Sequence, residues 1–207
     1  MADLFEILSV RAADGGARLI VTLESTCAGG KTRETLCVLT ARVRSLPQKG
    51  AIDGETVALL RREHMLAAAL ATGLRSLAAG GGSCVQLQQK LCHKGVARDV
   101  ARETVQVLCE KGYLDERESA LAAAESDLRK LWGDRRILAD LRAKGYGEEA
   151  ISAARELLAQ KDSVARLVRL LQKRRMDAEN PDKLIAALMR YGYTRTEIRT
   201  ALKEIMG

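Results

Sequence analysis

Aromatic residues, proline and long apolar runs are all scarce in this sequence of 207 residues. Aromatics make up 3% of the chain and proline occurs twice, whereas 47% of the residues are hydrophobic, a composition that favours helices with aliphatic cores. No apolar run approaches the roughly 20 residues that span a bilayer. The N-terminus, MADLFEILSV, has no basic segment before an apolar one, as a secretory signal would. We therefore expect a cytoplasmic protein with no membrane partner.

Metal-ligating and nucleophilic residues are also few. The chain has two histidines and five cysteines with no Cys-x-x-Cys pair, so a four-ligand zinc site cannot be assembled at usable spacing. The odd cysteine count favours reduced, packed thiols. Neither His64 nor His93 has a serine, cysteine or carboxylate placed to suggest a catalytic triad. We predict a protein that is not an enzyme, with no catalytic residue, metal, cofactor or small-molecule substrate.

The net charge of +7 is unevenly distributed along the chain. Residues 1–59 contain seven Lys/Arg and seven Asp/Glu, so the whole positive excess falls within residues 60–207. The hydrophobic pattern changes in the same place. We therefore predict a boundary near Asp53, between a small β-rich N-terminal unit (1–53) and a helical remainder.

The N-terminal unit contains two strand-like stretches, RLIVTLES at 18–25 and RETLCVLTARV at 33–43. Two glycines between them permit a hairpin turn. The turn includes GGKT (29–32), which resembles the end of a phosphate-binding loop. That motif needs a glycine where Ser25 stands, and a helix after the loop. We therefore predict a hairpin here rather than a nucleotide site.

From Glu55 onward the apolar residues recur at helical spacing. Because the pattern is interrupted at regular intervals, it predicts nine helices in three sets of three. The predicted helices are 55–78, 84–94 and 97–111, then 116–131, 134–144 and 147–160, then 163–177, 181–191 and 195–206.

Glycines with a repeated context mark the predicted helix ends. Gly95, Gly145 and Gly192 each lie four residues after a leucine and just before a bulky apolar residue. Gly112, which precedes Tyr113, marks a helix end in the same way. Glycine tolerates the left-handed conformation that commonly ends a helix. The repetition predicts a mainly α chain, an elongated stack of three tandem three-helix repeats after the β-rich unit. A compact nine-helix bundle is the alternative. The repeats would span 54–113, 114–161 and 162–207.

Basic residues cluster at helical spacing in the second and third sets. Arg166, Arg169 and Lys173 recur at i, i+3 and i+7, so we expect them on one exposed face. Such a stripe suits DNA or an acidic protein surface, although the few aromatics argue against a dedicated single-strand binder. Solvated surface without a partner is the other interpretation. The candidate partner-binding residues are Arg129, Lys130, Arg135, Arg136, Arg142, Lys144, Arg166, Arg169, Lys173, Arg174 and Arg175.

Four stretches of the helical region, in their order, resemble the RecX family, bacterial regulators of the RecA recombinase. They are SCVQLQQKLCHKG (83–95), EKGYLDERESALA (110–122), GDRRILADLRAKGY (133–146) and KLIAALMRYGYTRTEI (183–198). The resemblance implies a non-enzymatic regulator that binds the RecA filament on DNA, blocks or reverses its growth, and so limits recombination in DNA repair. The basic excess leaves a second hypothesis open, a protein that competes directly for single- or double-stranded DNA.

Overall fold

The computed structural model describes residues 4–43, 47–174 and 181–206. Within them the chain is mainly helical, with a small sheet at the N-terminus, as predicted. The strands are β1 (Leu4–Ala13), β2 (Arg18–Cys27), β3 (Gly30–Leu39) and β4 (Gly50–Ile52). The helices are α1 (Gly54–Ala78), α2 (Cys84–His93), α3 (Arg98–Glu110), α4 (Glu116–Arg129), α5 (Asp134–Ala143), α6 (Glu148–Ala159), α7 (Ser163–Arg174), α8 (Pro181–Arg190) and α9 (Arg195–Met206).

The helix boundaries follow the predicted ones to within two residues, except that residues 175–177 of the predicted seventh helix lie outside the described residues. The change near Asp53 is confirmed as a change of secondary structure. The Asp53 carboxylate accepts a hydrogen bond from the N–H of Thr56 (2.7 Å) and so caps the start of α1.

The chain divides into two compact units, one of residues 1–76 with 90–108 and the other of residues 77–89 with 109–207. Most of α1 falls in the same unit as the sheet. The division into a β-rich unit and three helical repeats, at 1–53, 54–113, 114–161 and 162–207, therefore stays a prediction.

The first unit is built on an antiparallel sheet with the strand order β3-β2-β1-β4. β2 and β3 form the predicted hairpin, in which Cys27 pairs with Gly30. The inward-facing side chains of the sheet, Val21 and Leu23 among them, pack against Val57 and Leu60 of α1 to form one core. The N-terminal strands therefore depend on the first helix for burial.

The GGKT segment has no phosphate-binding geometry. Gly30, Lys31 and Thr32 lie in β3, so no helix follows the turn. The Lys31 ammonium lies 2.7 Å from the Glu24 carboxylate on the neighbouring strand. The interpretation of this segment as a hairpin is confirmed.

Two arginines and two glutamates join the elements of the first unit through charge. Arg42 contacts the carboxylates of Glu63 on α1 (2.7 Å) and Glu103 on α3 (2.5 Å). Arg62 on α1 also contacts Glu103, at 2.8 Å. Glu103 thus receives two guanidinium groups, one from α1 and one from the segment after β3, and the arginines lower the pKa of its carboxyl.

Among the described residues of the second unit, two clusters of buried apolar side chains are each drawn from three consecutive helices. The largest fully buried members of the cluster formed by α4, α5 and α6 are Ile137, Leu141, Ile151 and Leu158. Leu167 and Leu188 belong to the cluster formed by α7, α8 and α9. The leucines four residues before Gly145 and Gly192 are both completely buried, as the repeated pattern requires.

The helix-ending glycines adopt the predicted conformation. At Gly145 the N–H donates to the carbonyl oxygen of Arg142 (2.9 Å), and the N–H of Tyr146 donates to that of Leu141 (3.2 Å). This pair of bonds satisfies two otherwise open carbonyl groups at the helix end. The four glycines all have positive φ, at Gly95 (+85°), Gly112 (+71°), Gly145 (+75°) and Gly192 (+96°).

The turn at Gly112 differs in one respect. Tyr146 and Tyr193, which follow their glycines, are buried, whereas Tyr113 is 59% exposed. The aromatic side chain after Gly112 therefore does not fold into a core as its counterparts do.

Candidate partner-binding surface

Four of the predicted basic residues line one recess in the second unit, about 520 Å³ in volume. The recess lies beside the turn between α4 and α5, and α5, α7 and the residue after α8 contribute to it. We call it the cationic recess. Its basic residues are Arg129, Lys130, Arg136 and Lys173, and its aromatic residues are Trp132 and Tyr191.

Other predicted residues lie outside the cationic recess. Arg135 and Arg142 are exposed on α5, and Lys144 pairs with Asp140 one turn earlier. Arg169 lines an adjoining recess of about 650 Å³, which shares Arg129 with the first but also contains acidic side chains. The side chain of Arg174 and all of Arg175 fall outside the described residues.

Arg166 contradicts the predicted exposed stripe. Its side chain is only 7% exposed, and its guanidinium forms an ion pair with the carboxylate of Asp134 at the start of α5. Arg169 and Lys173 are exposed as predicted, and Leu167 is fully buried. The prediction was wrong for Arg166 because the face of α7 on which it lies meets an acid from another helix.

The pair of Arg166 and Asp134 is structural. Burial raises the pKa of Asp134, and the charge of Arg166 opposes that shift. The Nε of Arg166 is buried without a hydrogen-bond partner in the part of the chain that the structure describes. Each charge therefore depends on the other for its stability in a partly dry site, and the pair joins α5 to α7.

The turn between α4 and α5 contains a strained residue. Leu131 has φ of +59°, although a bulky side chain resists that conformation at a cost of about 1–2 kcal/mol. The N–H of Trp132 donates to the carbonyl oxygen of Asp127 (3.3 Å), the same backbone bond that follows the helix-ending glycines. The hydroxyl of Tyr193 donates to the carbonyl oxygen of Leu131 (3.0 Å). The surrounding structure thus holds the turn in a conformation that its sequence resists.

Two glycines bring this turn against the turn between α8 and α9. The N–H of Gly133 donates to the carbonyl oxygen of Tyr191 (2.8 Å), and the N–H of Arg135 donates to that of Gly192 (3.3 Å). A Cβ atom on Gly133 would lie 2.4 Å from the carbonyl carbon of Gly192, so only glycine fits. The close backbone approach places Trp132 beside Tyr191.

Arg136 is positioned by both aromatic rings. Its guanidinium carbon lies 3.8 Å from the ring centroid of Trp132 and 5.6 Å from that of Tyr191. The Lys130 ammonium lies 4.8 Å from the Trp132 centroid. Cations at these distances are attracted by the ring electrons. A guanidinium over a ring keeps its in-plane N–H groups available to a ligand.

The cationic recess has no acidic lining residue among those that the structure describes. Lys130 pairs with the buried carboxylate of Asp127 at 2.7 Å. Within residues 4–43, 47–174 and 181–206, no ion pair forms at Arg129, Arg136 or Lys173. The recess therefore concentrates positive charge, which favours an anionic ligand.

Sequence reasoning missed the two aromatic residues of this site. Trp132 is the only tryptophan of the chain, and it lies in RKLWGDRR between two pairs of basic residues, which is the signal that could have identified it. Tyr191 comes from another helix end, and only the packing of the two turns brings it close. Because aromatic residues are rare in the whole chain, its composition does not show that two of them lie together here.

Neither a metal site nor a membrane span is found in the described part of the chain. No group of three or more His, Cys, Asp or Glu side chains could hold a metal ion there. No described helix combines the length and the apolar character needed to cross a bilayer.

A scan of protein-family models and a search of curated proteins found no match to this sequence. The solved structures that are similar to it include two of RecX proteins. A crystal structure of regulatory protein RecX matches with a TM-score of 0.72 and 18% identity, over 96% of this chain and 99% of its own. The crystal structure of RecX from Lactobacillus salivarius matches with a TM-score of 0.57 and 18% identity, over 68% and 96%. This chain therefore has the RecX fold, which supports the resemblance to the RecX family that its sequence carries.

Proposed function

We propose that this chain is a non-enzymatic regulatory protein that binds the RecA–DNA filament and inhibits its assembly, and with it the recombinase and ATPase activity used in DNA repair. The observation that carries the proposal is the RecX fold over 96% of the chain, shared with a structure described as a regulatory protein. The four RecX-like stretches, which occur in the same order along the sequence, support the same function independently of the fold.

A stack of three-helix repeats would suit a filament, because many weak contacts to successive subunits add up. Two contacts at equivalent positions support such a stack. The hydroxyl of Ser83 donates to the carbonyl oxygen of Lys144, and the N–H of Gly133 donates to that of Tyr191. Ser83 and Gly133 precede Gly95 and Gly145 by twelve residues, and their acceptors, Lys144 and Tyr191, immediately precede Gly145 and Gly192.

Filament binding can be tested by co-sedimentation. The protein would be spun with filaments of the host recombinase on single-stranded DNA, with DNA alone and with recombinase alone. We expect the protein in the pellet with filaments, and much less of it with either component alone at the same ionic strength. Equal recovery with DNA alone would contradict the proposal.

Direct competition for DNA is the second candidate function, and the cationic recess is the observation that favours it. Binding through phosphate contacts releases counterions from the DNA. It therefore weakens steeply as the salt concentration rises. A filament regulator should retain its effect at salt concentrations that abolish binding to bare DNA. Loss of both effects in parallel across a salt titration would favour the competitor.

A further inference from the structure

The cationic recess has a composition that a solvated basic surface does not require. Four basic residues surround two of the few aromatic residues of the chain, and no acidic side chain lines the recess among the described residues. The strained Leu131 also lines it, and the Gly133 backbone contact fixes the adjoining turn. A strained, closely packed turn next to a concentration of charge indicates a position held for a ligand.

Arg136 is the most specific element of the recess. The rings of Trp132 and Tyr191 restrict its guanidinium without using its hydrogen-bond donors, and it forms no ion pair in the described part of the chain. A planar guanidinium held in this way presents paired N–H groups that match two oxygens of a phosphate or carboxylate group. Arg129 and Lys173 supply further positive charge beside it.

We propose that the cationic recess binds a phosphodiester group of a nucleic-acid strand, with Arg136 donating hydrogen bonds to two of its oxygens. A nucleic-acid strand carries one charge at each nucleotide. The adjoining recess contains the exposed Arg169 but also Glu125 and Asp162, so the cationic recess is the part of this surface that favours a phosphate. Basic residues interspersed with aromatic ones are the composition typical of sites that follow such a strand. An acidic peptide would also be attracted by the positive charge, but its carboxylates do not stack on aromatic rings as nucleobases do.

This inference rests on the proposed function only for the choice of nucleic acid over other phosphate compounds. Its test needs no recombinase. Trp132 is the only tryptophan, so its fluorescence reports on ligands that enter the recess itself. The full-length protein would be titrated with a single-stranded oligothymidylate, with a duplex of the same length, and with a poly-glutamate peptide of equal charge.

We expect the oligonucleotide to change the fluorescence of Trp132 and to bind about tenfold more weakly to Arg136→Ala. Arg136→Lys keeps the charge but loses the paired donors, so its affinity should fall between the two. The matched control is Arg155→Ala, an exposed arginine on α6 away from the recess, and its affinity should change by less than about twofold. Circular dichroism melting curves would establish that each variant is folded.

Several outcomes would overturn the inference. One is nucleic-acid binding that leaves the fluorescence of Trp132 unchanged and is weakened equally by Arg136→Ala and Arg155→Ala. Another is an affinity for poly-glutamate as high as that for the oligonucleotides, which would indicate that the partner is an acidic protein. A third is no binding to either nucleic acid. A preference for the single strand or for the duplex would show which form of nucleic acid binds. Either result supports phosphate binding in the cationic recess.

The two proposals fail separately. If Arg136→Ala loses nucleic-acid binding but still pellets with recombinase filaments, the filament function stands without the recess. If wild-type protein binds nucleic acid through Trp132 and Arg136 but never associates with filaments, the recess stands and the proposed function fails.

Discussion

Gly133 and Gly192 approach each other so closely that a Cβ atom on Gly133 would lie 2.4 Å from the carbonyl carbon and oxygen of Gly192. The backbone of Gly133 has φ of −77°, which any residue can adopt, so the requirement for glycine is purely steric. This contact holds the turn that carries Trp132 against the turn that carries Tyr191.

Gly133→Ala should therefore destabilise the protein by about 1–3 kcal/mol, because rigid backbone atoms must move to admit a methyl group. Gly147→Ala is the matched control. Gly147 is also the N-cap of a helix, with φ of −69°, but its added Cβ would meet only a flexible carboxylate oxygen at 3.4 Å. Urea denaturation measures both free energies of unfolding. Equal values would contradict the steric account.

Arg166→Met should destabilise the protein by about 1–3 kcal/mol, because it leaves the partly buried Asp134 carboxylate without its partner. Arg169→Met, three residues further along the same helix but exposed, should change the free energy of unfolding by less than about 0.5 kcal/mol. Thermal melting of the two variants makes the comparison. A stable Arg166→Met protein with a destabilised Arg169→Met protein would reverse the assignment of the two residues.

The sequence predicted the helices well, and it predicted the exposure of the basic residues only in part. Helices follow from local spacing, so the leucines before Gly145 and Gly192 identify their own helix ends. β1 escaped notice because the register shift between Ile7 and Ser9 interrupts the alternation of its apolar residues. Arg166 has the same spacing as Arg169 and Lys173, but its burial depends on Asp134, which lies in another helix. Contacts between residues that are far apart in the sequence cannot be predicted from local spacing.

Glu103→Gln should lower the stability of the protein by about 1 kcal/mol at neutral pH, because it removes the carboxylate that two arginines contact. The arginines lower the pKa of Glu103 below its usual 4.5, so its contribution is present above that pH and is lost as the pH falls through the folded-state pKa. The difference between the wild type and the variant should therefore shrink in acid. A difference that is constant from pH 7 to about pH 3 would contradict this role.

Cys84 should react slowly with iodoacetamide at pH 8, because the thiolate is the reactive form. Burial raises the pKa of Cys84 to about 12, and the Cys109 thiol, 3.4 Å away, and the Glu116 carboxylate act in the same direction. The exposed Cys27 is the internal control and should be alkylated much faster. Mass spectrometry of peptides sampled over time measures both rates. Equal rates would show that Cys84 is not protected in the folded protein.

The proposed regulation of a RecA-type filament is tested most directly by the ATPase rate of the host recombinase on single-stranded DNA. The purified protein should lower that rate in a dose-dependent way at concentrations well below those of the DNA, since a bound regulator blocks filament growth rather than covering the strand. An Arg155→Ala variant should inhibit as the wild type does. An ATPase rate that stays unchanged at every concentration of the folded protein would contradict the account.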